Sequence, residues 1–280
     1  MTILVIAAHP DDEVLGCGGT IARYANEDDV HIAILGEGVS SRYEQRTDVP
    51  AAQLQKLQAD AKAAADVLGA RSVSFCGLPD NRFDEVGLLN LIKPVEKWVE
   101  TFRPDAIYTH HPGDLNIDHS MTFRAVLTAT RPDASRVSVP NLYTFEVPSS
   151  TDWAFQRVSP VFRPNVFVDI KNFLDCKITA MQCYESERRE APHPRSPEAL
   201  RAAAARAVAR AGHPEHGERH HPHVRHGAAR LGGAVAAGAG AGGCLEVLET
   251  LGHALLSRCQ LSYYFLAFWL WWMKEERNGK

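Results

Sequence analysis

Between residue 1 and about residue 201, short apolar runs alternate with helix-patterned segments, and this alternation constrains the fold more than any other feature of the chain. TILVIAAH (residues 2–9) reads as a strand that runs straight into a polar turn, and residues 18–26 read as the start of a helix. VHIAILGEG (30–38) is a second strand, short and continuously apolar, as strands buried on both faces are. Residues 51–68 bring Leu54, Leu57, Ala61, Ala64, Ala65 and Leu68 to one helical face and stop at Gly69, a suitable C-cap. SVSFCGL (72–78) is a third strand, 88–101 a helix closed off by Arg103-Pro104, and DAIYTHH (105–111) a fourth strand. Strands separated by helices at this spacing predict βαβ units: an α/β, Rossmann-like three-layer fold with a mostly parallel, doubly wound sheet. Ligands in such sheets sit beyond the carboxyl ends of the strands, so polar clusters that directly follow the first and fourth strands are expected to meet.

After residue 201 the text changes character. AAAARAVARAG gives way to a stretch made almost wholly of Ala, Gly, Arg, His and Pro, with six of the thirteen histidines between His213 and His226. Such composition predicts a low-complexity, disordered segment over 202–244. Metal capture by the histidines is the sharper alternative, but no packed framework sets their spacing. GC-rich coding DNA read out of frame also produces this kind of text, a point that resequencing around codon 200 decides. Residues 245–280 form an apolar tail whose LSYYFLAFWLWWM run is thirteen residues long. A spanning helix needs about 20, so docking on a core or a membrane surface is expected rather than a span. The expected organisation is therefore a folded domain over 1–201, the low-complexity segment, and the tail.

Two clusters carry chemistry. His9-Pro10-Asp11-Asp12-Glu13 stands at the end of the first strand, where an imidazole and a carboxylate three residues apart on a tight turn can face one ion. Zinc and similar borderline metals accept this nitrogen and oxygen set, and Asp11 can hold a water beside the ion without ligating it. The bland alternative is a solvated turn with an aspartate capping the next helix. The segment from His110 to His119 (HHPGDLNIDH) adds three histidines and two aspartates directly after the fourth strand. His119 supplies a third ligand, and Asp118 a carboxylate able to orient an imidazole from behind. Both clusters together outweigh the bland reading.

With these residues in place, the sequence resembles the LmbE/PIG-L family of metal-dependent N-deacetylases. The resemblance rests on an intact AHPDDE (8–13) and on NIDH (116–119), with further echoes in GEG (36–38), LPDNRFD (78–84), KITAMQCYESE (177–187) and PHPRS (192–196). It covers residues 1 to about 200. It implies that His9, Asp12 and His119 ligate Zn2+ and that Asp11 is the general base. Many members carry a histidine where this chain has Asn116, so assistance to the reacting carbonyl would fall to Asn116, His110 or His111. The implied reaction removes the N-acetyl group from an N-acetylglucosamine-type conjugate, and Arg42, Arg82 and Arg195 become candidate substrate contacts. Two competing readings are an amidase of a sugar-thiol conjugate on the same fold and a non-catalytic sugar- or nucleotide-binding protein. The second lacks a GxGxxG after the first strand; CGG at 17–19 does not supply one.

Composition sets the remaining expectations. A hydrophobic fraction of 45% allows an ample core, and a net charge of -4 argues against nucleic acid and against anionic membranes. The six scattered cysteines include no CxxC pair, which favours reduced thiols. The apolar start lacks a basic leader region, so a cytoplasmic location is expected, with a small-molecule substrate and a homo-oligomer possible.

Overall fold

The computed structural model describes residues 1–132, 137–211 and 244–250. In chain order the elements are β1 (Thr2–Ala7), α1 (Asp12–Tyr24), β2 (Asp29–Gly36), α2 (Ala51–Leu68), β3 (Ser72–Leu78), α3 (Phe83–Val86), α4 (Leu88–Phe102), β4 (Ala106–His110), α5 (Ile117–Ala129), β5 (Asn141–Phe145), β6 (Val166–Asp169), α6 (Leu174–Cys183), α7 (Pro197–Ala211) and β7 (Leu245–Thr250). The sheet has the order β3-β2-β1-β4-β5-β7-β6. Its first five strands pair in parallel, and β7 runs antiparallel between β5 and β6. The α/β sheet expected from the alternation is therefore present, and β2, α2, β3 and α4 lie within a residue or two of their predicted limits.

Strand β1 explains the layering. Ile3, Val5 and Ala7 face a core shared with α1, α2 and α6, while Leu4, Ile6 and Ala8 face a second core under α4 and α5. Because successive side chains point to opposite faces, a strand covered on both sides has to be apolar throughout. The chain steps outward from β1 through β2 to β3, then returns to place β4 on the other flank of β1. The carboxyl ends of β1 and β4 thus form the topological switch point of the sheet, where doubly wound folds bind ligands.

Helix α1 begins six residues earlier than its predicted start at residue 18. Its backbone is non-helical at Cys17 (φ -142°), so an acidic first turn from Asp12 is joined to the glycine-rich part across a kink. The kink is satisfied from a distance. The buried Glu246 of β7 accepts the N–H groups of Gly19 (2.9 Å) and Thr20 (2.6 Å) and the Thr20 hydroxyl. Lys177 of α6 donates to Leu15 O (3.0 Å) and to Glu246, balancing its charge.

Residue 201, where the composition changes, lies inside α7, and 245–250, assigned to the tail from composition, form a strand of the main sheet. Pairing with β5 and β6, which a local change in residue usage does not report, brings this segment into the sheet. The His213–His226 tract, Cys259 and the aromatic run at 261–273 lie outside the described residues. The five cysteines among the described residues are free, and no helix there is long and apolar enough to cross a membrane.

Gly16 shows how closely α1 sits against the sheet: a Cβ there would stand 2.2 Å from the Phe145 ring. Gly16→Ala is expected to destabilise the domain by ~1–3 kcal/mol through overpacking, measured as a lower urea midpoint. An unchanged midpoint would mean that Phe145 moves aside freely.

Candidate metal centre

The turn after β1 and the segment after β4 converge. One ligand atom each from His9, Asp12 and His119 lies within 4.8 Å of the others. His9 Nδ1 is 3.4 Å and His119 Nε2 3.1 Å from the same atom, Asp12 Oδ2. All three side chains are buried. The turn itself is built by Asp12, whose Oδ2 accepts the His9 N–H at 2.9 Å.

The far nitrogen of each imidazole is held by a carboxylate. His9 Nε2 lies 2.9 Å from Asp118 Oδ2 and 3.2 Å from Asp80 Oδ1. His119 Nδ1 lies 3.1 Å from Asp114 Oδ2, which also receives the hydroxyls of Ser150 (2.8 Å) and Thr151 (2.7 Å). A proton on each carboxylate-facing nitrogen leaves the lone pair of the other nitrogen directed at Asp12, the tautomer that metal ligation requires. Asp118 is fixed in turn by the Phe83 N–H on its Oδ1 (2.9 Å). Around two imidazoles stand five buried carboxylates, Asp11, Asp12, Asp80, Asp114 and Asp118. Such a concentration of negative charge away from water calls for a cation, and the nitrogen and oxygen donor set fits a divalent one.

Asp11 holds an unusual backbone. Its φ of 97° lies in the left-handed region, and its side chain does not cap α1, unlike the solvated-turn alternative. Such strain costs a non-glycine residue about 1–3 kcal/mol and is typical of functional turns. Glu13 holds the turn by accepting the Asp11 N–H through Oε2 (3.1 Å), while Tyr184 donates to its Oε1. Burial lifts the Glu13 carboxyl to about 8, against the Tyr184 hydrogen bond. Asp11 Oδ2 is buried without a hydrogen-bond partner, 3.3 Å from Arg195 Nη1. Burial lifts its carboxyl to about 7, Arg195 acting in the opposite direction. For Asp12, burial acts upward too, but the neighbouring imidazoles of His119 and His110 outweigh it and hold that carboxyl well below the usual range.

The other expected site residues divide. Arg195 reaches the centre, bonding Glu187 Oε2 at 2.6 Å as well as facing Asp11. Arg42 is linked to it indirectly, through the other oxygen of Glu187. Arg82 is exposed and pairs with Glu85 of α3 at 3.5 Å. His110 also lies at the centre, its Nε2 3.6 Å from Asp12 Oδ2, and with Asp114 and His119 it makes a second group able to hold an ion. It is fully buried, stacked on His119 at 3.9 Å, with Nε2 accepting the Ala8 N–H (2.8 Å). Burial pushes its imidazole down to about 3, and the nearby His119 adds to the shift. Its place is as a neutral prop behind a ligand, because the fourth strand carries it inward. His111 is buried as well, its Nδ1 accepting the Gly113 N–H. Asn116 caps α5 through Oδ1 on the Asp118 N–H (2.9 Å), and its Nδ2 donates to Asn81 Oδ1 (3.0 Å).

Residues singled out here only by the fold are Asp80, Asp114 and Glu187. Asp80 stands in LPDNRFD and Asp114 in the histidine-rich segment, so the motif positions were visible, but an aspartate in a loop does not announce which imidazole it will meet.

A buried two-histidine, one-carboxylate group able to hold a metal ion stands at the switch point of a parallel α/β sheet. Residues 4–130 match the PIG-L family model, described as GlcNAc-PI de-N-acetylase. An uncharacterized deacetylase, YaiS, of Escherichia coli is 26% identical over 66% of this chain and 90% of its own. A 1D-myo-inositol 2-acetamido-2-deoxy-alpha-D-glucopyranoside deacetylase of a Mycobacterium species is 25% identical over 69% and 76%. A 4-oxalmesaconate hydratase of Pseudomonas putida is 29% identical over 64% and 71%. Among solved structures, the 4-carboxy-2-hydroxymuconate hydratase GalB of the same organism superposes with a TM-score of 0.63 at 23% identity, over 91% of this chain and 98% of that one. The N,N'-diacetylchitobiose deacetylase of Pyrococcus horikoshii superposes at 0.60 and 18%, over 75% and 79%.

Removing the carboxylate behind a ligand should loosen the centre. Asp114→Asn and Asp118→Asn are each expected to lower divalent-metal affinity ~10–100-fold, read as the metal retained after dialysis against graded chelator. Wild-type retention in both variants would refute the assignment of His9 and His119 as ligands.

Proposed function

We propose that the domain is a zinc-dependent N-deacetylase acting on an N-acetylglucosamine-type conjugate. The observation that carries this reading is the buried Asp11 Oδ2, which accepts no hydrogen bond among the described residues and is ion-paired with Arg195, beside three converging donors from His9, Asp12 and His119. That pairing of a ligand set with a buried carboxylate is what metal-assisted amide hydrolysis needs.

His9, Asp12 and His119 would hold a Zn2+ ion, which would supply Lewis acidity to a water, lowering its pKa from ~16 towards ~7, and to the amide carbonyl. Asp11 Oδ2 takes the proton of the attacking water and returns it to the leaving amine. Its elevated carboxyl, about 7, suits a group that must both accept and give a proton near neutrality. Arg195, anchored by Glu187, keeps Asp11 in place. Asn116 Nδ2 has a second hydrogen beyond the one given to Asn81, and that hydrogen is the available amide donor for the carbonyl oxygen. Asp118 positions His9 rather than touching the substrate.

A second reading is favoured by the hydratase of Pseudomonas putida, as similar to this chain as the deacetylases are. A hydratase would use the same donors and the same base to add water across a carbon–carbon double bond. An amidase of a sugar-thiol conjugate would also share them, whereas a non-catalytic binding protein would have no use for the buried Asp11 carboxylate. Acetate release from N-acetyl amino sugars, set against hydration of unsaturated carboxylates and cleavage of amide conjugates, separates the readings. Asp11→Asn is expected to lower kcat ~10²–10⁴-fold with the bound metal unchanged; full activity in a metal-loaded variant would refute the base.

A further inference from the structure

We infer that Trp153 is a specificity-determining residue, a ring platform at the mouth of the metal centre that receives the apolar face of a pyranose. The inference rests on the deacetylase reading above and names how its substrate is held.

The placement follows from what holds the loop on either side of the residue. Thr151 is tied to the centre, its hydroxyl donating to the Asp114 carboxylate that steadies His119. The turn that follows is rigid. Val147 N–H donates to Thr151 Oγ1 (2.8 Å), Thr151 N–H to Val147 O (2.9 Å), and Ala154 N–H to Ser150 O (3.1 Å). Asp152 meets Arg206 of α7 at 3.6 Å. Thr151 and Ala154 are buried, while Trp153 between them is 45% exposed. The anchoring therefore belongs to its neighbours, and the indole is displayed rather than packed.

The ring also meets His193 of another loop, edge to face. Its centroid is 6.0 Å from that of His193, at an interplanar angle of 79°. His193 Nδ1 accepts the Arg195 N–H (3.2 Å), and Arg195 Nη1 faces Asp11. Trp153 thus spans from the loop that holds one metal ligand to the loop that holds the base.

An indole left in water on a rigid support is a poor use of a large apolar surface unless a ligand covers it. A pyranose presents one face of C–H groups that an aromatic ring can cover and a rim of hydroxyls that charged groups can bond. Here the charged groups are Arg195 and Glu187. A small planar unsaturated carboxylate has no such C–H face, so the platform favours a sugar.

The test uses the metal-loaded full chain. Trp153→Ala is expected to raise KM for a methyl N-acetylglucosaminide about 10-fold or more with kcat within about 2-fold, the split that marks lost uniform binding. Trp153→Phe should restore KM to within about 3-fold of wild type, a rescue that a merely structural role would not give. Independently of turnover, N-acetylglucosamine should quench the wild-type tryptophan fluorescence, and Trp153→Ala should abolish that quenching. An unchanged KM in Trp153→Ala, or equal losses in kcat and KM that Phe does not rescue, overturns the inference and leaves the deacetylase reading intact. Should the wild type release no acetate from any N-acetyl sugar, the deacetylase reading falls. Quenching lost in Trp153→Ala would then still support the platform, and no quenching in the wild type would overturn it.

Discussion

The rest of the structure is arranged around five carboxylates and two imidazoles kept out of water where β1 and β4 end. Burying one ionised carboxylate costs several kcal/mol unless it is paired, and here Asp12 alone stands against two imidazole nitrogens while Asp80, Asp114 and Asp118 hold their far sides. Such a cluster is tolerable in a folded protein only if positive charge meets it. The protein supplies Arg195 on one side, and the converging donors are suited to a cation on the other.

Positioning is achieved by layers of hydrogen bonds rather than by the ligands themselves. Each imidazole is oriented by an aspartate, and each aspartate by a backbone N–H or hydroxyl from another loop, Phe83 for Asp118 and Ser150 and Thr151 for Asp114. Asp11 is the exception: its Oδ2, on a strained turn, accepts no hydrogen bond among the described residues and meets only the charge of Arg195. The strain keeps its carboxylate beside the donors instead of over the end of α1, where an ordinary capping aspartate would place it.

The support reaches far along the chain. A kinked α1 exposes the N–H groups of Gly19 and Thr20 inside the protein, and unmade hydrogen bonds there would cost about 1–3 kcal/mol each. Glu246 of β7 accepts both, and Lys177 of α6 donates to Leu15 O and to Glu246. The helix that starts with a candidate metal ligand is thus completed by a strand more than two hundred positions later.

Much of this was legible in the residues alone. The apolar period of β1 to β3, the helical face ending at Gly69 and the two polar clusters after β1 and β4 follow from local stereochemistry, which a sequence states directly. Their meeting could be expected too, because a doubly wound sheet has one switch point. What the sequence could not state was orientation and distant partnership. His110 and His119 look equivalent in HHPGDLNIDH, yet strand geometry turns the first inward against the Ala8 N–H while helix α5 presents the second to Asp12. Asp80, Asp114 and Glu187 acquired meaning only through the imidazoles and guanidinium they meet, and Glu246 only through the backbone gap it fills. Residue type and periodicity are local properties and settle which chemistry is on hand; burial and contact between remote segments exist only in the folded chain, and they decided which of those groups face one another.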